Sequence, residues 1–514
     1  GRYRSSGDFL PLTHDGDDGR AVIRWLAAYE RCNGRVGTRG HSYSGYNQLL
    51  AAIDAPEALQ AMVVGVAPGD CFENVPFHGG AYDLNDLFWL LDMTGRVAVD
   101  DAKDADDEED PVSQESCPED ETIADKDRDQ LLDQALSNRP FCDVDIRLGL
   151  HHPIFREWIS HWKLDDYWKE RAISPNLHRT NVATLFISGW WDGNGRGAPV
   201  FHSGMRARAA SPDVRKKQRL LIGPWNHDLE APDCSDVPEQ EQISIERGAR
   251  RDSLVDELAW FDEHLMDIAA GPSTCAPTSL YVTGLHRWMD FEQWPPPETT
   301  ANEAFLGPGS DQKSGRLLDQ PNDANEKPTV YVFDPEDPTP FAHEDVDAEK
   351  IPFDNSELAR DRDDIILFET SPYSKPVTLI GEVDAVLYAS ADTADFDLCA
   401  KLLDVYPDGR AIYLTDGIIR ARFGNGFANP EPVPAGEIRE YRLDLWHIGH
   451  TMRPGHTLRL EVSSGAHLRF DVNPCTGGDL ANETECTRAK ISIYHNEAHP
   501  SRLILPVCND PRLK

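Results

Sequence analysis

The chain has 514 residues with 89 acidic and 50 basic side chains, a formal charge of -39 and a pI near 4.7. Hydrophobic content of 40% and aromatic content of 9% exclude a disordered or fibrous chain and fit roughly two to four globular domains. The charge balance supplies no clustered Lys and Arg for phosphate contacts and would be repelled by an anionic membrane, which argues against nucleic acid and membrane partners.

With 13 Lys against 37 Arg, the surface is rich in carboxylates and poor in lysine. That pattern points to a salt-loving source, in which molar salt screens the repulsion between carboxylates. No apolar run reaches the roughly 18 residues of a membrane span. Ten cysteines are spread singly without zinc spacing, so neither metal nor other cofactor is implied; Cys475 and Cys486 are near enough to bridge a loop.

The first 270 residues alternate helix and strand, the mark of an α/β layer fold. Asp17-Asp18 starts a helix that Asn33-Gly34 ends. Arg35 to Arg39 predicts a short strand, Asn47 to Ile53 an apolar helix, and Ala61 to Val66 a parallel strand buried on both faces. From about 70 to 175 the pattern turns to aromatic-rich helices that predict a helical cap, and within it 100–129 is an acidic, solvated loop. Ala183 to Ser188 and Arg219 to Gly223 are two more parallel-strand signals. A single helix from about Ile245 to Met266 is predicted to lay Leu254, Leu258, Phe261 and Leu265 on the sheet and close the first domain near 270.

After Gly271-Pro272 the period becomes two, over 382–388, 410–414 and 457–462, with a turn at Pro407-Asp408-Gly409. Residues 275–514 therefore read as an all-β sandwich of jelly-roll type, with 307–360 as long loops wrapping it.

The chemistry gathers at the ends of the predicted parallel strands. Ser42 sits between a strand and a helix with Gly40 and Gly45 beside it, a nucleophile elbow in which Ser44 occupies the usual second glycine position. The backbone N–H of Tyr43, at the start of that helix, is placed to donate to an oxyanion. A serine of this kind requires an acid and then a histidine at later strand ends, and Asp192 and His227 stand there in that order. Ser42 is then the nucleophile, His227 the general base and Asp192 the group that orients it.

Gly-His-Ser-Tyr-Ser-Gly at 40–45, Gly-Trp-Trp-Asp-Gly at 189–193 and Gly-Pro-Trp-Asn-His at 223–227 resemble the three catalytic motifs of the cocaine esterase and X-prolyl dipeptidyl-peptidase family of serine hydrolases. Gly1 to Phe9, 331–338, 403–409 and 469–474 resemble further family stretches, and Ser-Tyr-x-Gly is a variant the family accepts at the elbow. The resemblance implies an α/β-hydrolase domain with a helical cap and a C-terminal jelly-roll, galactose-binding-like domain. It also implies cleavage of an ester, amide or short peptide through an acyl-enzyme. In the family about four core strands and an oxyanion tyrosine precede the Gly-Arg-x-x-Ser-x-Gly stretch, so this chain is expected to be N-terminally shortened with half an oxyanion hole.

Trp190, Trp191, Trp225 and the cap aromatics Phe88, Trp89, Trp158 and Trp162 are candidates for the acyl pocket, and Asp70 for a substrate ammonium, while core packing for most of the aromatics and a helix cap or solvated acid for Asp70 are the favoured readings. The alternative to an enzyme is a binding protein of the same fold acting through its β-domain. A cytoplasmic location is favoured over secretion, and a homo-oligomer stays open.

Overall fold

The computed structural model describes residues 9–91, 133–266, 268, 276–311, 313–322, 326–342 and 352–513; the acidic segment 100–129 lies outside them. β1 (Val36–His41), β2 (Leu59–Gly65), β3 (Ala183–Gly189), β4 (Gln218–Gly223) and β5 (Thr278–Val282) run parallel in that order, and β6 (Arg287–Phe291) joins antiparallel to β5. Every residue of β3 is buried, as the uninterrupted apolar run requires of a strand covered on both faces. Alternate residues of β2 serve the two faces. Met62 and Val64 pack with Tyr46 and Leu49, whereas Ala61 and Val63 pack with Trp260.

α1 (Asp15–Ala27) and α2 (Tyr43–Ala52) cover the first of these faces. Between β2 and β3 the chain forms a two-residue hairpin, Phe77–His78 with Ala81–Tyr82, then helical residues 84–91 and α3 (Pro153–Ser160). Phe77, Tyr82, Phe155, Trp158 and Trp168 pack edge to face within this insertion, and Phe72 lies tilted against Phe77 and Trp168. α4 (Gly197–Arg208) follows β3.

The helix expected over 245–266 is two helices, α5 (Glu239–Ala249) and α6 (Ser253–Leu265), broken where the Asp252 carboxylate accepts the Leu254 N–H. The predicted stripe is also rotated. Leu254 and Leu258 are 48% and 58% exposed, while Trp260 is buried and Glu257 is buried against the Arg39 guanidinium of β1. That ion pair, with the ring of Phe261 and the side chain of Leu265 over the bare backbone of Gly37, sets the face that α6 turns to the sheet. The α/β sheet takes two strands beyond residue 270, because β5 and β6 follow α6, β5 pairing onto β4 and β6 onto β5.

The β-domain is one twelve-stranded sheet system. Its strands are β7 (Thr299–Pro308), β8 (Ser314–Leu318), β9 (Thr329–Phe333), β10 (Ile366–Glu369), β11 (Val377–Ala391), β12 (Asp397–Val405), β13 (Ala411–Arg420), β14 (Arg439–Met452), β15 (Thr457–Ser463), β16 (Ala489–Asn496) and β17 (Arg502–Cys508), with a short strand at His499–Pro500. The order is β9-β16-β11-β17-β7-β8-β10-β15-β12-β13, with β14 also on β11; all pairs are antiparallel except β8 with β10. The stretch 307–360, expected to be loops, contributes β8 and β9, whose edges are satisfied by β7 and β16. Cys475 and Cys486 are free thiols and form no bridge.

The β-domain grips the cap. Arg420, 1% exposed, holds the carboxylates of both Asp397 and Asp471, and Asp471 in turn accepts the Tyr82 N–H at 2.6 Å. The Leu84 N–H donates to the Arg469 carbonyl at 2.9 Å, which anchors the start of the 84–91 helix.

Candidate active site

β1 runs out at His41 and α2 begins at Tyr43, leaving Ser42 on the turn with φ 56° and ψ -128°. A serine occupies positive φ only where its surroundings hold it there. Its N–H donates to the Gly65 carbonyl at 2.9 Å, and its own carbonyl accepts from Gly45 and Tyr46 at 2.9 and 3.1 Å. A Cβ on Gly40 would stand 2.7 Å from the Ser44 carbonyl oxygen, and one on Gly45 would stand 2.9 Å from that of Gly65. The turn therefore needs glycine at 40 and 45, and it accommodates Ser44.

Tyr43 is the first residue of α2, so its N–H lies ahead of the intrahelical ladder. Its hydroxyl donates to the Asp15 carboxylate at 2.9 Å, and burial together with that neighbouring charge holds the phenol far above its ordinary range.

Asp192 and His227 are brought together by the loops after β3 and β4. The Trp190 N–H donates to Gly223 and the Trp191 N–H to Trp225, both at 3.1 Å, so the two loops are joined backbone to backbone. Trp225, fully buried, presses against the bare backbones of Gly189 and Gly223. In this setting His227 Nδ1 lies 2.7 Å from Asp192 Oδ1. The Asp192 side chain is 0% exposed and that of His227 40% exposed, so the imidazole has one edge on a buried carboxylate and the rest towards open space.

Ser42 and His227 line one cavity of about 340 Å³ with Tyr43, Trp89, Trp158, Trp191, Asn194 and the acids Asp83 and Asp86. Of the expected pocket residues, Trp191, Trp89 and Trp158 are on its wall. Trp190 instead donates to the Tyr281 carbonyl and packs on Gly449 of the β-domain, and Trp225 is core, donating to the Ala249 carbonyl. Phe88 and Trp162 are partly buried against the main core rather than on the cavity. Asp70 is a backbone clamp: its carboxylate accepts the Ile173 and Ser174 N–H groups at 2.6 and 3.0 Å, and it does not line the cavity.

Asp83 and Asp86 escaped the sequence reading. Their only signal there is the Asp-Leu-Asn-Asp spacing, which puts two carboxylates on one turn at the start of an aromatic helix. Burial raises the pKa of both, and Asp86 is pushed further by the charge of Asp83. Asp83 is tied to the Asn85 N–H at 2.9 Å and lies 3.3 Å from His78 Nε2. The Asp86 carboxylate accepts no hydrogen bond among the described residues.

Residues 1–228 match the X-Pro dipeptidyl-peptidase (S15 family), and residues 273–504 match the X-Pro dipeptidyl-peptidase C-terminal non-catalytic domain. The chain is 28% identical over 527 residues to the cocaine esterase of Rhodococcus sp., covering 99% of this chain and 86% of that protein. An α-amino acid ester hydrolase structure superposes with a TM-score of 0.79 at 24% identity, covering 98% of this chain and 84% of the other. An aminopeptidase from a marine sediment Thaumarchaeota archaeon gives a TM-score of 0.77 at 22% identity, covering 99% and 84%. These two structures establish the fold, an α/β-hydrolase domain followed by a β-domain. The chain belongs to the cocaine esterase and X-prolyl dipeptidyl-peptidase family and is a serine hydrolase acting on ester or acyl bonds.

Proposed function

We propose that Ser42, His227 and Asp192 are the catalytic triad and that the substrate is an ester or amide whose acyl part carries a protonated amine. The observation that carries the triad is the 2.7 Å contact from His227 to the buried Asp192, with Ser42 on the same cavity wall as His227. The Ser42 hydroxyl gives its proton to His227 Nε2 as its oxygen attacks the substrate carbonyl carbon. The Tyr43 N–H donates to the oxygen that becomes negative, and Asp192 stabilises the imidazolium through Nδ1–H. The imidazolium then protonates the leaving alcohol or amine. An acyl-enzyme remains, and water removes it by the same steps in reverse roles.

The amine follows from the cavity. Tyr43, Trp89, Trp158 and Trp191 supply apolar wall, and Asp86 supplies a carboxylate in need of a cation. The structural likeness to an α-amino acid ester hydrolase and an aminopeptidase supports the same substrate class, amino-acyl esters or N-terminal peptide bonds, X-Pro dipeptides among them. We read the β-domain as jelly-roll in type and the carboxylate-rich surface as an adaptation to high salt.

A fluorophosphonate probe followed by peptide mapping tests the triad. The expected result is a single adduct on Ser42, with labelling and turnover of 4-nitrophenyl acetate both lost in Ser42→Ala. Labelling that persists in Ser42→Ala would overturn the assignment.

A further inference from the structure

A hydroxyl in the middle of a buried parallel strand end has to be explained. β3 is apolar from Leu185 to Ile187 and then places Ser188, 1% exposed, against the interior. Burying a hydroxyl without a partner is unfavourable. The hydrogen bond that satisfies it is a single one: Ser188 Oγ donates to Asp192 Oδ2 at 3.0 Å.

The other bonds to this carboxylate fall on its other oxygen. Asp192 Oδ1 accepts the Asn194 N–H at 2.9 Å and faces His227 Nδ1 at 2.7 Å. Oδ1 is thus held by the turn and the imidazole, and rotation of the carboxylate about its Cβ–Cγ bond is resisted at that one oxygen. Among the described residues Ser188 is the group that engages Oδ2, so it opposes rotation of the carboxylate from the second oxygen. The plane of the carboxylate sets the direction in which Oδ1 meets the Nδ1–H of His227, and so the direction in which Nε2 faces Ser42.

We infer that Ser188 is a positioning residue of this hydrolase, acting on the reaction through Asp192 by locking the carboxylate plane. The inference rests on the triad reading given above. Its effect belongs to the step in which the imidazole gains a proton and charge, so it should weigh on kcat more than on substrate binding.

The test is a kinetic comparison of the full chain with Ser188→Ala, Ser188→Thr and Asp192→Ala, using 4-nitrophenyl acetate and the rate constant for fluorophosphonate labelling of Ser42. Ser188→Ala is expected to lower kcat and the labelling rate together by roughly tenfold, with KM within about twofold of the parent. Ser188→Thr keeps the hydroxyl on a β-branched side chain suited to a strand and is expected to recover most of the loss. In an Asp192→Ala background, Ser188→Ala is expected to add nothing, because the group it acts through is gone. Costs that simply add in the double variant would overturn the inference, as would a Ser188→Ala enzyme whose kcat and labelling rate stay within twofold of the parent. Either result would leave the triad standing if Ser42→Ala still abolished labelling, whereas labelling that survives Ser42→Ala would remove the triad reading and this inference with it.

Discussion

Asp86 shows how much a single side chain can decide. A carboxylate that accepts no hydrogen bond among the described residues, on the wall of the cavity that holds Ser42, is disfavoured as an anion by burial and by Asp83, and a substrate ammonium would relieve both effects. The kcat/KM ratio of phenylalanine methyl ester to methyl 3-phenylpropanoate, which differ only in the ammonium, reports this directly. Asp86→Asn is expected to lower that ratio by about tenfold or more, the scale of a hydrogen bond to a charged group. The sign of the pH effect follows from the raised pKa. Below it Asp86 is protonated and neutral, so the ratio for the parent enzyme should fall as pH drops, starting above the usual carboxylate range, while the ratio for Asp86→Asn stays flat. A parent ratio near one would exclude Asp86 as an ammonium site.

At the scale of elements, the β-domain adds its own hold on the cap to the packing of the cap's aromatic rings. Arg420 at the end of β13 bridges Asp397 and Asp471, and Asp471 holds the Tyr82 backbone just ahead of the helix that carries Asp86 and Trp89. Burial pushes Asp397 up to about 6 even with the Arg420 charge beside it. Arg420→Met should therefore leave two buried carboxylates without their cation and reduce the free energy of unfolding by about 3–5 kcal/mol near neutral pH. Protonating Asp397 relieves that cost, so the deficit should shrink as pH falls through its raised pKa and grow as pH rises through it. Denaturant unfolding of the parent and the variant at pH 5 and pH 7.5 measures it, and an equal deficit at both would contradict the charge argument.

For the whole molecule the governing quantity is a formal charge of -39. Self-repulsion on that scale is long-ranged at about 0.1 M salt, where the screening length is about 10 Å, and is confined to near neighbours at about 1 M, where it is about 3 Å. Raising KCl from roughly 0.1 to 3 M is expected to raise Tm by several degrees, since screening favours the compact state. A Tm that is flat over this range would exclude salt adaptation as the reason for the acidic surface. Among the described residues no helix is long and apolar enough to cross a membrane.

What the residues determined by themselves is the order of the α/β core strands and the placement of Ser42, Asp192 and His227 at their ends. The strands before Asp192 and His227 are buried, mostly apolar runs, and the strand before Ser42, Val-Gly-Thr-Arg-Gly-His, is marked instead by the glycines of the turn that follows it; all three residues stand at a carboxyl end of a parallel strand. Folding alone decided which neighbours share the cavity. Asp70 and Asp86 are both acids close behind β2, yet one is taken up by the N–H groups of Ile173 and Ser174, 103 and 104 positions away, and the other is left on the cavity wall. The face of α6 was decided in the same way, by the buried pairing of Glu257 with Arg39 across 218 positions. Periodicity reports which side chains are apolar. It carries no information about which distant backbone group or charge will meet a given carboxylate, and here those meetings separate a structural acid from one left on the cavity wall.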